Sequence, residues 1–216
     1  VVATPSILGE QRVVLYDVSW HFFEYLLSEL GETRAARLTY ERGILEIMTP
    51  LMPHERNNRL IEKLIDILAE QLNLNILSVG SMTCKRQDLN RGAEPDSSYY
   101  IQNEPSVRSR ENIDLTQDPP PDLVVEVEYS SPAINKLRLY AAIGVPELWR
   151  YNGNALQIYR LEGEEYIECD RSPTFASIPI REIPRFLQQS PVIGEKEVKK
   201  AFRDWVKQWI VESEKP

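Results

Sequence analysis

Apolar positions first recur with helical spacing between Trp20 and Leu30, where Trp20, Phe23, Leu26, Leu27 and Leu30 share one face. Ser19 ahead of them can cap the helix and Gly31 behind can end it. Residues 36–48 then change period, with Leu38 and Tyr40 alternating into Arg42-Gly43 and a second apolar stretch, which predicts a β-hairpin closed by Pro50 and Pro53. From His54 to Leu72 the stripe Leu60, Leu64, Leu68 and Leu72, widened by Ile61 and Ile65, predicts a long amphipathic helix. Strand-like runs follow at 75–79, 81–86, 97–101 and 123–128, with Gly80 and the polar segment 87–94 as breaks.

The polar stretch 102–121, ending in three prolines, is long for a connection without structure of its own and predicts a mobile loop near a functional site. Beyond it, Ser130 or Ser131 as cap, Pro132 in the first turn and Gly144 as stop frame a helix carrying Leu137, Tyr140 and Ile143. Strands 147–151 and 155–161 flank Asn152-Gly153, the strongest hairpin signal in the chain, and 164–170 supplies a further strand. The segment 195–212 places Val198, Phe202, Trp205, Trp209 and Ile210 on one helical face with its other charges nearly balanced, as in a docked cover helix. This order predicts an α/β fold with one mixed β-sheet flanked by helices, an added N-terminal hairpin and a C-terminal helix. A single domain accommodates all 216 residues, with its core at about 36–165 and a C-terminal hairpin and cover helix at about 166–216.

Composition then removes whole classes. With 42% hydrophobic and 27% charged residues the chain is neither a disordered nor a membrane protein by content, and no apolar run approaches a membrane span. Arg12 follows the first apolar stretch where a signal peptide needs its basic residues in front, so the expected location is the cytoplasm. Cys84 and Cys169 have neither CxxC nor His-Cys spacing, which suggests no zinc site and no disulfide framework. A net charge of −8 speaks against a protein that coats nucleic acid, because such binding runs on Lys and Arg releasing counterions.

The acids matter by position. Two Pro-Asp pairs occur, at Pro95-Asp96 and Pro121-Asp122, and Asp96 opens a predicted strand. Glu126 sits inside the apolar run LVVEV, where an ionised side chain is costly unless paired or bound to a metal. By strand parity Val124, Glu126 and Glu128 share a face, the two carboxylates about 6.6 Å apart, while Leu123, Val125 and Val127 form an apolar face. Asp122 has the same parity but lies roughly 13 Å from Glu126, too far to share one cation with it, and reads better as a strand-entry residue or one that supports the ligands from behind. A neighbouring strand can instead bring Asp96 to Glu126. An Asp and a Glu converging from adjacent strands suit Mg²⁺ or Mn²⁺, which take one or two carboxylates and keep waters for a phosphate to displace. Lys136, at the start of the next helix, can supply a cation beside that phosphate.

The segments YERGILEIMTP, HERNNRLIEKLI, EPDSSYYI, PPDLVVEVEYSSP and KLRLYAAIGVPELWRY resemble the Uma-type restriction endonuclease family of the PD-(D/E)XK nuclease superfamily, over about residues 15–165. The resemblance implies a restriction-endonuclease-like core, a Mg²⁺- or Mn²⁺-dependent endonuclease acting on DNA, and Asp96 and Glu126 as metal ligands. It also implies a catalytic lysine. Glu128 stands where D/E-x-K would place it, so the role passes to Lys136 on the following helix. Glu55 matches an acid that many superfamily members carry at the start of the long helix, as an extra ligand or water holder.

Plainer roles stand beside each of these. Glu126 and Asp96 can be a salt-bridged core glutamate and a turn aspartate. Lys136 can be a solvated helix residue, and Glu128 a third ligand or a salt-bridged neighbour. His54 can cap its helix, bond a phosphate or do neither, and Glu55 can simply answer the helix dipole. Lys85, Arg86 and Arg91 read as a solvated loop. An inactive interaction protein on the same fold is the alternative to the enzyme, and a homodimer that completes a DNA cleft is an expectation without a motif of its own.

Overall fold

The structure is a computed structural model and describes residues 2–3, 10–31 and 35–213. In chain order it contains β1 (Val2–Ala3), β2 (Glu10–Leu15), α1 (Trp20–Leu30), β3 (Arg37–Glu41), β4 (Ile44–Pro50) and α2 (Met52–Gln71). Then come β5 (Leu77–Gly80), β6 (Cys84–Arg86), β7 (Arg91–Ala93), β8 (Ser97–Tyr100), α3 (Glu104–Val107) and β9 (Leu123–Val127). The last elements are α4 (Lys136–Ile143), β10 (Glu147–Tyr151), β11 (Leu156–Glu162), β12 (Glu165–Cys169), α5 (Ile183–Ile193) and α6 (Glu195–Ser213). Among the described residues no helix is long and apolar enough to cross a membrane.

The mixed sheet expected from the sequence has the order β12-β11-β10-β9-β8-β5, parallel between β9 and β10 and antiparallel elsewhere. The parallel pair is joined through α4, as a crossover requires. Leu123, Val125 and Val127 face a cluster that includes Leu60, Leu64 and Leu68 of α2, Trp149, Phe186 of α5 and Phe202 of α6. Val124 faces the other way, with Leu139, Tyr140 and Ile143 of α4. Strand parity therefore sorts β9 as its sequence predicts, and α6 docks through buried Val198, Phe202 and Val206.

One sheet was expected, and the described residues form two. The predicted hairpin 36–48 is the centre of a second, antiparallel sheet, β1-β2-β4-β3-β7-β6, capped by α1 through Phe23, Leu38, Tyr40 and Leu45. Its turn is as read: Arg42 and Gly43 both have positive φ, 47° and 96°, the signature of a type I′ turn. Strands β6 and β7 lie where the sequence offered a run ending at 86 and a polar break, since three-residue strands are too short to show a period.

Other boundaries also move. Helix α2 begins at Met52, so Pro53 belongs to its first turn, where a missing N–H is harmless, and does not close the hairpin. Asn135 caps α4 by accepting from Arg138 N, in place of Ser130 or Ser131, and Pro132 stays outside the helix. The stretch 102–121 is built into α3 and hydrogen-bonded turns, and none of its residues lines the pocket described below. Helix α5 has no counterpart in the sequence reading, its pattern being interrupted by Pro184 and Pro191. At Asn152-Gly153 the turn is tight, and a Cβ on Gly153 would stand 2.6 Å from the Tyr129 ring.

Candidate active site

Strands β8 and β9 are antiparallel with Ser97 opposite Val125, which sets Asp96 beside Glu126 and Val127. The backbone N–H of Val127 donates to Asp96 Oδ2 at 2.8 Å, and Asn58 Nδ2 of α2 donates to the Asp96 carbonyl at 3.1 Å. Asp96 is thus held at both ends, by the strand next door and by the long helix. His54, in the first turn of α2, stands with Nε2 3.3 Å from the same Asp96 oxygen and is fully buried.

Glu126 is 1% exposed and meets two donors from α4. Lys136 Nζ lies 2.6 Å from Oε2, and Tyr140 Oη donates to Oε1 at 2.7 Å. Residues four apart on a helix share a face, so one turn of α4 delivers both groups. Glu128 forms an ion pair with Arg150, Oε2 to Nε 2.6 Å, and is 4.0 Å from Lys136 Nζ. The parallel register puts Arg150 opposite Glu126 on β10. Glu126, Glu128, Lys136 and Arg150 line a pocket of about 260 Å³ whose outer wall is Pro132, Ala133 and Asn135.

Burial raises the Glu126 carboxyl to about 7; Asp96 and Glu128 push it the same way, and the Lys136 ammonium opposes them. Burial pulls the Lys136 ammonium down, but Glu126, Glu128 and Asp96 together outweigh burial and keep it charged. For Asp96 the upward push of burial is exceeded by His54, Lys136 and the Val127 N–H, which leave it below the ordinary aspartate range. His54 is raised: Asp96 and Glu10 outweigh its burial. Three acids here thus face Lys136, Arg150 and His54.

Of the sequence candidates, then, Asp96, Glu126, Lys136, Glu128 and His54 come together. Glu55 does not: its carboxylate turns out to Arg59, 2.8 Å away on the helix surface. Asp122 spends its oxygens on Ile101 N, Asn103 N and Asn103 Nδ2, fixing the exit from β8 as a strand-entry residue should. Lys85, Arg86 and Arg91 are on the β6–β7 hairpin and pair with Glu24, Asp88 and Glu41. Cys84 and Cys169 are both free thiols.

Sequence reasoning missed Tyr140, Arg150, Glu10, Arg12 and Glu46. The spacing to Lys136 could have exposed Tyr140, and the alternation of Leu148 and Arg150 against Trp149 and Tyr151 could have exposed Arg150. Nothing local marks the other three, which arrive from the second sheet.

The residues present can be tested against a divalent ion. Asp96 and Glu126 are hard oxygen donors, and beside them Glu10 Oε2 and His54 Nδ1 are buried without a hydrogen-bond partner among the described residues. Among those residues no group of three or more His, Cys, Asp and Glu side chains is arranged to hold a metal. Two carboxylates bordered by unsatisfied polar atoms fit an ion that keeps most of its own waters, as Mg²⁺ does, and do not fit a structural zinc cage.

Residues 22–188 match the model of the Uma2 family, described as "Putative restriction endonuclease". The chain is also similar to a solved crystal structure of "a putative nuclease belonging to DUF820" from Anabaena variabilis, with a TM-score of 0.50 and 20% sequence identity, over 76% of this chain and 97% of that one. At that identity the likeness speaks for the fold. No curated protein matches the sequence. The family match runs from α1 into α5, across every residue gathered at the site except the β2 pair Glu10 and Arg12, and on that evidence the chain belongs to the Uma2 family.

Proposed function

We propose that this protein is an endonuclease that hydrolyses phosphodiester bonds of DNA with Mg²⁺ or Mn²⁺ held by Asp96 and Glu126. One observation carries the reading: an aspartate, a glutamate and a lysine from separate elements converge in a buried cluster that opens on a pocket, Lys136 Nζ lying 2.6 Å from Glu126. Asp96 and Glu126 would hold the ion, and the chemistry it would supply is Lewis-acid polarisation of a phosphate and activation of water. The chain's own groups do the rest. Tyr140 holds one oxygen of Glu126 and fixes the plane of its carboxylate. Lys136, charged and screened from bulk water, is placed to oppose negative charge growing on a phosphate oxygen. Arg150, half-buried at the pocket wall, is a second cation within the same cavity.

Purified protein is expected to nick or linearise supercoiled plasmid with Mg²⁺ or Mn²⁺ and to lose that activity in Glu126→Ala. Cleavage that survives this substitution would remove Glu126 from the chemistry and the reading with it. A second reading, a nuclease fold that kept its shape as an interaction protein and lost catalysis, is favoured by one fact: both oxygens of Glu126 already accept from Lys136 and Tyr140. Calorimetric titration with Mn²⁺ separates the two, since no heat at millimolar metal decides for the inactive protein.

A further inference from the structure

The chain between β9 and α4 has no strand or helix ladder to hold its backbone, although Tyr129 accepts from Asn57 through its hydroxyl and Ile134 is buried in the core. The ladder ends where Glu128 N donates to the Tyr151 carbonyl, and α4 starts only after Asn135. Residues 129–135 must nevertheless place Lys136 at the bottom of the site and build the pocket wall with Pro132, Ala133 and Asn135. Backbone N–H groups that such a segment turns toward the protein need acceptors from elsewhere in the chain.

Two buried carboxylates of the second sheet supply them. Glu10 Oε1, on β2, accepts from Ser130 N at 2.6 Å and also from the Ser130 hydroxyl. Glu46 Oε2, on β4, accepts from Ala133 N at 2.5 Å. Arg12 lies between them, paired with Glu46 Oε1, 3.1 Å from Glu10 through Nη2, and donating from Nε to Ser130 Oγ at 3.0 Å. Glu10 and Glu46 are 2% and 1% exposed. An ion cluster this deep adds little net stability compared with apolar residues of the same volume. What it does provide is direction, because Glu46 has one oxygen on Arg12 and the other on a loop amide, and Glu10 turns a single oxygen to both Arg12 and Ser130.

We infer that Glu10 and Glu46, locked by Arg12, are positioning residues through which the second sheet holds the 129–135 loop and so aims Lys136 at Glu126. The kinetic part of this inference rests on the nuclease reading above; the structural part does not. A loop displaced by about 1 Å carries Lys136 with it, and misplacement of that size costs on the order of 100-fold in rate.

The test uses Glu46→Ala, Glu46→Asp and Glu46→Gln in the full chain. Glu46→Asp keeps the charge beside Arg12 and withdraws the oxygen from Ala133, so it loosens the loop even if Glu46→Ala is not recovered folded. Glu46→Gln can keep an oxygen for the amide only with its NH2 toward Arg12, so it removes the charge and the Arg12 contact while leaving the hydrogen bond to the amide. Three quantities are read: exchange of the Ala133 amide, acylation of Lys136 by an N-hydroxysuccinimide ester followed by peptide mass spectrometry, and kcat and KM for DNA cleavage.

Glu46→Ala or Glu46→Asp is expected to raise exchange and acylation about tenfold, as loss of one hydrogen bond to a charged group allows, with a smaller rise in Glu46→Gln. kcat should fall about 10- to 100-fold at nearly constant KM. Unchanged exchange and acylation in both variants would overturn the inference, and so would a loosened loop with undiminished kcat. Should the wild type cleave no DNA, the nuclease reading fails by itself, while exchange and acylation still decide whether the second sheet sets the position of Lys136.

Discussion

The two faces of β9 are held by opposite means. Leu123, Val125 and Val127 pack among buried aliphatic and aromatic side chains of α2, α5 and α6. Val124 shares its face with Glu126 and Glu128, which meet an ammonium, a phenol and a guanidinium. The first face responds to volume, because dispersion and water exclusion depend on filled space. The second responds to charge, because each ion there is tolerable only while its partner stays. A single five-residue strand thus divides stability from chemistry, and the division can be attacked from either side.

The largest effect should come from unpairing the charged face. Lys136→Met leaves Glu126 buried with Tyr140 alone, and unfolding in urea is expected to show a loss of about 3–5 kcal/mol near neutral pH together with loss of DNA cleavage. Adding Glu126→Leu and Tyr140→Phe removes the orphaned groups. Stability should then return to the wild-type level or exceed it by about 1–4 kcal/mol, with cleavage still absent. A triple variant that remains as unstable as the single one would mean that the ion cluster, and not only its imbalance, holds this face.

On the apolar face the matching change is Leu64→Ala, which empties part of the cluster under Val125. A loss of about 2–5 kcal/mol is expected, independent of pH, with kcat of the folded protein unaltered. If cleavage fell in proportion to stability, the two faces would be coupled and the comparison would fail.

How far the site was legible follows from the same strand. Asp96, Glu126 and Lys136 could be read from the chain because parity, a Pro-Asp strand entry and a helix start are local patterns. Glu10, Arg12, Glu46 and Arg150 could not, since they reach the site through pairing between strands far apart in sequence, and no periodicity records which sheet will lie over which loop. The second sheet itself was hidden for the same reason: its core hairpin was visible, while β6 and β7 are three-residue pieces recruited to it through contacts at Thr39, Tyr40 and Glu41. The mixed sheet and helices α2, α4 and α6, built from longer periodic segments, were visible, while α5, interrupted by Pro184 and Pro191, was not.

A smaller effect should appear on changing pH without metal. Glu126, raised from 4.5 to about 7, and His54, raised above 6.5, both bind a proton more tightly folded than unfolded. For groups shifted upward, the stability they add is complete below their unfolded values and is lost as pH rises through their folded ones. Metal-free protein should therefore lose stability from about pH 4.5 to 7, by up to roughly 1.4 kcal/mol per pH unit for one proton. Glu126→Gln should flatten that interval, whereas Leu64→Ala should lower the whole curve and keep its slope. A flat wild-type curve in chelator would mean that Glu126 ionises there as it would on the surface.

The smallest effect belongs to Glu55, and it sharpens the comparison at its edge. Neighbouring helix residues point about 100° apart, so of His54 and Glu55 in the first turn of α2 only one can face the site. His54 takes the inward direction, 3.3 Å from Asp96, and Glu55 pairs with Arg59 in the solvated layer. An exposed i,i+4 pair contributes about 0.3–0.5 kcal/mol, so Glu55→Ala should shift unfolding by no more than that. DNA cleavage and Mn²⁺ affinity should stay within about twofold of the wild type, because no atom of Glu55 contributes to the buried cluster. A loss of cleavage beyond about tenfold, with folding intact, would instead show that the carboxylate leaves Arg59 when an ion or phosphate arrives. The helix would then serve the charged face with two residues, and the boundary between the solvated surface and the site would lie one residue further out along α2.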